Sequence, residues 1–162
     1  VAIYHHQVKI ISRSAGPSLI ASAAYRAGER IRDDKAEKTF DYQRRKGVLH
    51  SEIIAPIRAP DWVNDRSILW NTVDATEKRK DSQLAREIMV ALPVELDPDQ
   101  RLQLVRGYIF EQFVKIGMVA DFAIHAPSKA GDDRNYHAHI LLTMRTVTSE
   151  GFGGKAREWN AK

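Results

Sequence analysis

The sequence predicts an α+β domain, with helices packed on a central, mainly antiparallel five-stranded sheet. Three observations carry this. Segments that alternate polar and apolar residues, as half-buried strands do, are interleaved with segments whose apolar residues recur at helical spacing. The last two alternating segments are joined by a turn-rich stretch, as in a hairpin. Each strand-like segment also keeps a more polar face, which fits an antiparallel or mixed sheet better than a parallel sheet buried on both sides.

In order, Ala2 to Ser12 alternates as a strand and Ser12 to Gly16 reads as a loop. Pro17 suits the first position of a helix that reaches about Ala27 and stops at Gly28. Leu19, Ile20, Ala23, Ala24 and Ala27 form its apolar side, while Ser18, Ser22, Tyr25 and Glu29 follow the spacing of one polar stripe. Arg30 to Gly47 is a charged, turn-like connection. Val48 to Ala55 is a short strand, followed by a helix from about Asp61 to Lys80 with Trp62, Val63, Arg66, Leu69, Trp70 and Val73 at helical spacing. Leu84 to Leu92 is the next strand. On it, Glu87 shares a face with Ala85, Met89 and Ala91, opposite Leu84, Arg86, Ile88, Val90 and Leu92. Asp97-Pro98-Asp99-Gln100 combines an N-cap, a proline in the first turn and a capping-box glutamine, and opens a helix that runs to Gly117. Met118 to Ala126 and Tyr136 to Met144 are the closing strands, and Gly151 to Gly154 reads as a glycine-rich tail.

Composition narrows the chemistry. The 162 residues, 43% of them hydrophobic, suffice for one domain with its own core. The charged end, Lys155 to Lys162, carries no stop signal, so residues 1–162 read as a single domain cut from a longer protein. The absence of cysteine excludes disulfides, zinc ribbons and thiol catalysis, so any metal must be held by histidine and carboxylate. No segment reads as a membrane span or signal peptide, which leads to the expectation of a cytoplasmic protein without membrane insertion. A formal charge of +4 leans weakly toward a polyanionic partner.

The last two strands carry the strongest chemical signal. His137 and His139 lie two apart on one strand, and His125 is in phase with them on the neighbouring one. Alternation therefore places three imidazoles on one sheet face, able to occupy one side of a divalent ion and leave other positions open. The ordinary alternative is a set of histidines on a solvated face. Glu87 falls on the less apolar side of its strand and is either a site carboxylate or simply exposed. Tyr25 sits among serines beside Arg26 and small alanines, although a helical tyrosine is usually half-buried packing. Arg44-Arg45-Lys46 is ordinarily a solvated loop.

Several segments, in order along the chain, resemble the MobA/MobL family of conjugative relaxases. They are Ala2-Ile3-Tyr4-His5, Ser12 to Gly16, Ala23 to Glu29, Gly47 to Ile53, Ala85-Arg86-Glu87-Ile88 with Ala91-Leu92-Pro93, His137-Ala138-His139, and Lys155 to Asn160. The resemblance is to the N-terminal nicking domain of TraA-type plasmid transfer proteins, with an HUH-type fold shared with replication initiators. It implies that Tyr25 is the nucleophile, that His125, His137 and His139 bind a divalent metal (Mn, Mg, Ni, Co or Zn), and that Glu87 is an active-site carboxylate. It implies site-specific nicking of single-stranded or extruded DNA at a transfer origin, through a 5′-phosphotyrosine intermediate. Arg26, Arg44, Arg45 and Lys46 are the expected phosphate contacts. A coupling protein and a type IV secretion system are the implied partners, in a bacterial cytoplasm from which the protein can pass to a recipient with its DNA. A rolling-circle initiator or metal-dependent nuclease using the same histidines, and a non-catalytic single-strand-binding module, remain alternatives.

Overall fold

The computed structural model describes residues 5–156; expectations placed on Ala2 to Tyr4 and on Arg157 to Asn160 lie outside them. Along the chain come β1 (His6–Ser12), α1 (Leu19–Ala27), β2 (Arg30–Asp33), β3 (Lys38–Asp41), β4 (Val48–Ile54), α2 (Arg66–Thr76), β5 (Gln83–Leu92), α3 (Pro98–Gln112), β6 (Ala120–His125), β7 (Tyr136–Thr143), β8 (Arg145–Thr148) and β9 (Gly151–Lys155). Strands β1, β5, β7, β6 and β4 form one sheet in that order. Every neighbouring pair is antiparallel, as expected, with β7 in the centre.

Both faces of this sheet are covered, which differs from the expectation of one core face and one polar face. Helix α3 packs Val105, Ile109 and Phe113 on Ile88, Phe122, Ile140 and Leu142. On the other face α1 and α2 bring Leu19, Ile20, Ala23, Leu69, Trp70 and Val73 against Ile11, Ala85, Val119 and Leu141. That second face is also the histidine face. The polar residues that alternation placed there are thus enclosed, and each buried one needs a partner.

Asp121 meets that requirement first. Its carboxylate accepts hydrogen bonds from Arg66 Nε and Nη2, both at 2.8 Å, and from the Trp70 indole N–H at 2.8 Å. Arg66 also pairs with Glu29, the second residue after α1. Burial works against the Arg66 charge, but Asp121 and Glu29 outweigh it and hold its pKa above the usual range. This pairing also explains why the predicted Asp61-to-Lys80 helix is interrupted. A 3-10 turn covers Asp61–Asn64, Asp65 then caps α2 by accepting from the Ile68 N–H, and Arg66 turns inward.

Other boundaries follow local chemistry. Ser18, not Pro17, begins α1: its hydroxyl caps the Ala21 N–H, leaving Pro17 just outside the helix. The capping box of α3 forms as read, with Asp97 and Gln100 exchanging side-chain-to-backbone bonds. The connection from Arg30 to Gly47 contains a two-stranded ribbon, β2 with β3, and the glycine-rich tail contributes β9, paired with β8. Among the described residues no helix is long and apolar enough to cross a membrane.

Glu77 ties the β8–β9 ribbon to the end of α2, with Arg145 Nε at 2.7 Å and Lys155 Nζ at 3.4 Å. Burial pushes its carboxyl up, yet these two cations more than offset that and hold its pKa below the usual value. A carboxyl depressed in the folded state stabilises fully above its unfolded pKa of about 4.3, and that contribution is lost as pH falls through the folded value. Thermal melts of Glu77→Gln should therefore show a lower midpoint than wild type at pH 7 and a shallower decline below about pH 4.5. Parallel curves for the two proteins would remove Glu77 from the acid response.

Candidate active site

The register of three strands builds the site. His125 on β6 lies directly opposite His137 on β7, and His139, two residues along β7, lies opposite Ala123 on one side and Met89 on the other. Directly opposed side chains on one face sit about 5 Å apart. The ring centroids accordingly fall 5.3 Å (His125–His137), 4.7 Å (His125–His139) and 5.0 Å (His137–His139) from one another. Ala123 opposite His139 and Ala91 opposite His137 leave the rings room. Glu87, two residues from Met89 on β5, falls diagonally beside His139 on the same face.

The end of α1 closes this cluster. Gly28 takes the left-handed conformation (φ 68°) that ends the helix, and a Cβ there would meet Val48 Cγ2 at 3.2 Å. Val48 pairs with His125, so this close approach brings the last turn of α1 to the histidines. The final carbonyls of a helix lack partners within it, and here the site supplies them. Arg45 Nη1 donates to the Tyr25 carbonyl at 3.0 Å, and His125 Nε2 donates to the Arg26 carbonyl at 2.8 Å.

Those bonds determine which ring atoms keep a lone pair. A carbonyl only accepts, so His125 carries its hydrogen on Nε2 and keeps Nδ1 free; that Nδ1 is buried with no partner. His137 has the opposite arrangement, with Nδ1 donating to the Asn135 carbonyl at 3.0 Å. In His139, Nδ1 faces Glu87 Oε1 at 3.3 Å. Burial pushes the His125 pKa down to about 3 and lowers that of His139, so both rings are neutral near pH 7. Potential ligand atoms, one from each of the three rings, lie within 4.8 Å of one another. Three imidazoles, each with one ring nitrogen already engaged, and the unsatisfied buried lone pair of His125 are a donor set that fits a divalent ion. Nitrogen donors suit Zn, Ni, Co or Mn better than Mg.

Glu87 is buried and binds Arg26 Nη2 at 2.9 Å, with Lys9 Nζ at 3.9 Å. Burial raises its pKa, but the His139 bond and the Arg26 and Lys9 charges prevail and hold the carboxylate below its usual range. Tyr25 is 40% exposed at the end of α1. Its ring meets Tyr42 edge-on at 5.2 Å, with the Arg45 guanidinium over it at 4.0 Å. Arg44 and Lys46 are exposed on the loop that leads into β4.

Of the residues singled out in the sequence, the structure brings together His125, His137, His139, Glu87, Arg26 and Arg45. Tyr25 joins them through its carbonyl and its ring contacts. Arg26 was expected on DNA, but its charge is engaged with Glu87 inside the site. Sequence reasoning missed Lys9 beside Glu87 and the Asn135 carbonyl that orients His137. Lys9 meets Glu87 through the β1–β5 register, which sets the two residues directly opposite each other.

Residues 17–162 match the profile of the MobA/MobL family. The chain belongs to the MobA/MobL family. It is 39% identical to the conjugal transfer protein TraA of Rhizobium radiobacter over 96% of its own length and 14% of that protein's. It is 41% identical to the mobilization protein MobL of Acidithiobacillus ferridurans, over 96% of its length and 46% of that relative's. The chain therefore spans about a seventh of the TraA relative and less than half of the MobL relative. A solved structure described as the molecular basis of vancomycin resistance transfer in Staphylococcus aureus superposes with a TM-score of 0.87 at 36% identity, covering 99% of this chain and 84% of that one. The α+β fold implied by the resemblance to MobA/MobL proteins is the fold observed.

The donor set leads to a direct test. A divalent ion such as Ni²⁺ or Mn²⁺ at roughly 100 times its Kd should stabilise the domain by about 2.7 kcal/mol. For a domain of this size that is a rise in Tm of roughly 5–10 °C. His139→Ala should abolish the rise, and an unchanged rise in that variant would place the ion elsewhere.

Proposed function

We propose that this domain is a relaxase nicking domain, which cleaves one DNA strand at a plasmid transfer origin by tyrosine transesterification. The observation that carries this reading is the convergence of three imidazoles with the end of the helix bearing Tyr25. Family membership, and the names of relatives concerned with conjugal transfer and mobilization, support it independently.

The chain's residues divide the task as follows. The Tyr25 phenol gives its proton to solvent as its oxygen attacks the scissile phosphorus. The bond from phosphorus to the 3′-oxygen breaks, and that oxygen takes up a proton from solvent to leave as a hydroxyl. The 5′-phosphate stays on the tyrosine. A phenol leaves more readily than an alkyl alcohol, so the same bond can later be rejoined without ATP. His125, His137 and His139 would hold the divalent ion, which when bound supplies Lewis acidity toward a phosphate oxygen. The Asn135 carbonyl, the Arg26 carbonyl and Glu87 orient the three rings. Glu87 is suited to this and poorly suited to act as general base, because an efficient base has a pKa near the working pH and this carboxylate is held below its ordinary value. Arg44 and Lys46, exposed on the loop before β4, would meet phosphates of the incoming strand. In this reading the domain acts in the bacterial cytoplasm on single-stranded or extruded origin DNA. A coupling protein and a type IV secretion system then receive the longer protein with its attached strand.

Two predictions test the chemistry. On a denaturing gel the wild type with an origin oligonucleotide should give a covalent protein–DNA band. Tyr25→Phe should give none while binding the oligonucleotide with nearly unchanged Kd. Hydrolysed DNA without an adduct would instead indicate a nuclease, and binding alone a single-strand-binding module. For Glu87, an orienting role predicts that Gln, which still accepts a hydrogen bond, retains cleavage within about tenfold, whereas Ala loses up to about 100-fold. Equal loss in both variants would point to proton transfer instead.

A further inference from the structure

Arg45 is held at the junction of the two halves of the site. Its backbone N–H closes a turn onto the Tyr42 carbonyl at 3.0 Å, and Tyr42 in turn packs edge-on against Tyr25. Its guanidinium stacks 4.0 Å over the Tyr25 ring, and Nη1 donates to the Tyr25 carbonyl. The same Nη1 lies 3.2 Å from His125 Nε2. That contact is no hydrogen bond, since His125 Nε2 already donates to the Arg26 carbonyl and offers no lone pair. A cation is therefore held against a neutral ring by its other contacts.

Other arginines of the domain have carboxylate partners. Arg26 pairs with Glu87, Arg66 with Asp121, Arg106 with Glu52, and Arg134 with Asp132. Among the described residues Arg45 has no carboxylate partner, and its Nε and Nη2 make no hydrogen bond. It is a guanidinium set between a tyrosine and a histidine cluster with N–H groups to spare.

Building on the relaxase reading, we infer that Arg45 fixes the Tyr25 ring and presents its free N–H groups to the phosphate under attack. Its role then differs from that of a groove contact that only adds affinity. In the transesterification it forms and breaks no bond. It donates hydrogen bonds to the non-bridging phosphate oxygens as negative charge builds on them.

The test separates rate from affinity. Single-turnover cleavage of an origin oligonucleotide is measured at saturating DNA, alongside Kd by fluorescence anisotropy, for wild type, Arg45→Ala and Arg45→Lys. Removal of one such donor costs on the order of 100-fold in rate, so Arg45→Ala should lose about that with Kd changed less than about threefold. Methylguanidinium added to Arg45→Ala should restore at least part of the rate. Arg45→Lys keeps the charge but not the planar fork, and should fall between the two. If Arg45→Ala does not fold, the loss of rate at unchanged Kd in Arg45→Lys decides the matter. Weakened binding with an unchanged saturating rate, or no effect on either, overturns the inference. If rate and binding both fall, rescue by methylguanidinium at saturating DNA supports it and failure of rescue overturns it. Absence of a wild-type adduct is a different failure: it removes the relaxase reading, and this inference with it.

Discussion

Asp121 is a carboxylate on the buried inner face of the sheet, and the arrangement of that face follows from keeping it paired. A lone buried charge costs several kcal/mol, so the position is tenable only with Arg66 and Trp70 brought onto it. Those two residues dock α2. Arg66 reaches on to Glu29, just past the glycine that ends α1, and so relates the end of α1 to β6. His125 lies four residues beyond Asp121 on the same strand and the same face, where that helix end arrives. The position of the histidine cluster relative to Tyr25 thus depends on an ion pair that takes no part in either.

Charge is handled in the same way closer to the histidines. Arg26 and Lys9 neutralise Glu87, burial keeps His125 neutral, and backbone carbonyls hold the ring hydrogens of His125 and His137. The result is a site in which ring orientation is settled by hydrogen bonds, with Arg45 beside the rings and, among the described residues, without a carboxylate partner. Histidines on a solvated surface would lack both the enclosure and the oriented partners seen here.

Much of this was legible in the sequence where a short period or a local cap carries the information. The period of two on β6 and β7 placed His125, His137 and His139 on one face, and the same rule on β5 added Glu87. The capping box at Asp97 and the glycine stop at Gly28 were visible because their partners lie within a few residues. What escaped depends on partners far along the chain. Nothing near Arg66 announces Asp121, 55 residues away, so the break before α2 was not foreseen. The β2–β3 ribbon is short and charged, with Ile31 and Asp33 its buried residues, and its alternation was masked by arginines. The β8–β9 ribbon is built partly from glycines, which weaken any strand signal. The ring tautomers could not be read at all, since His125 takes its acceptor from a carbonyl 99 residues earlier.

That carbonyl belongs to the last turn of α1, which is the part of a helix most prone to open. Winding of the turn keeps the His125 hydrogen on Nε2 and its lone pair on Nδ1. If the turn frays, the acceptor is withdrawn and the ring is free to exchange tautomers. Occupancy of the histidine cluster and local unfolding of the helix end are therefore linked equilibria, and linkage is reciprocal. Whatever ligand draws on the Nδ1 lone pair also slows hydrogen exchange at the amides that close that turn, those of Gly28 and Glu29 bound to the Ala24 carbonyl. Tyr25 sits within that same turn, so its order and the state of the imidazoles rise and fall together.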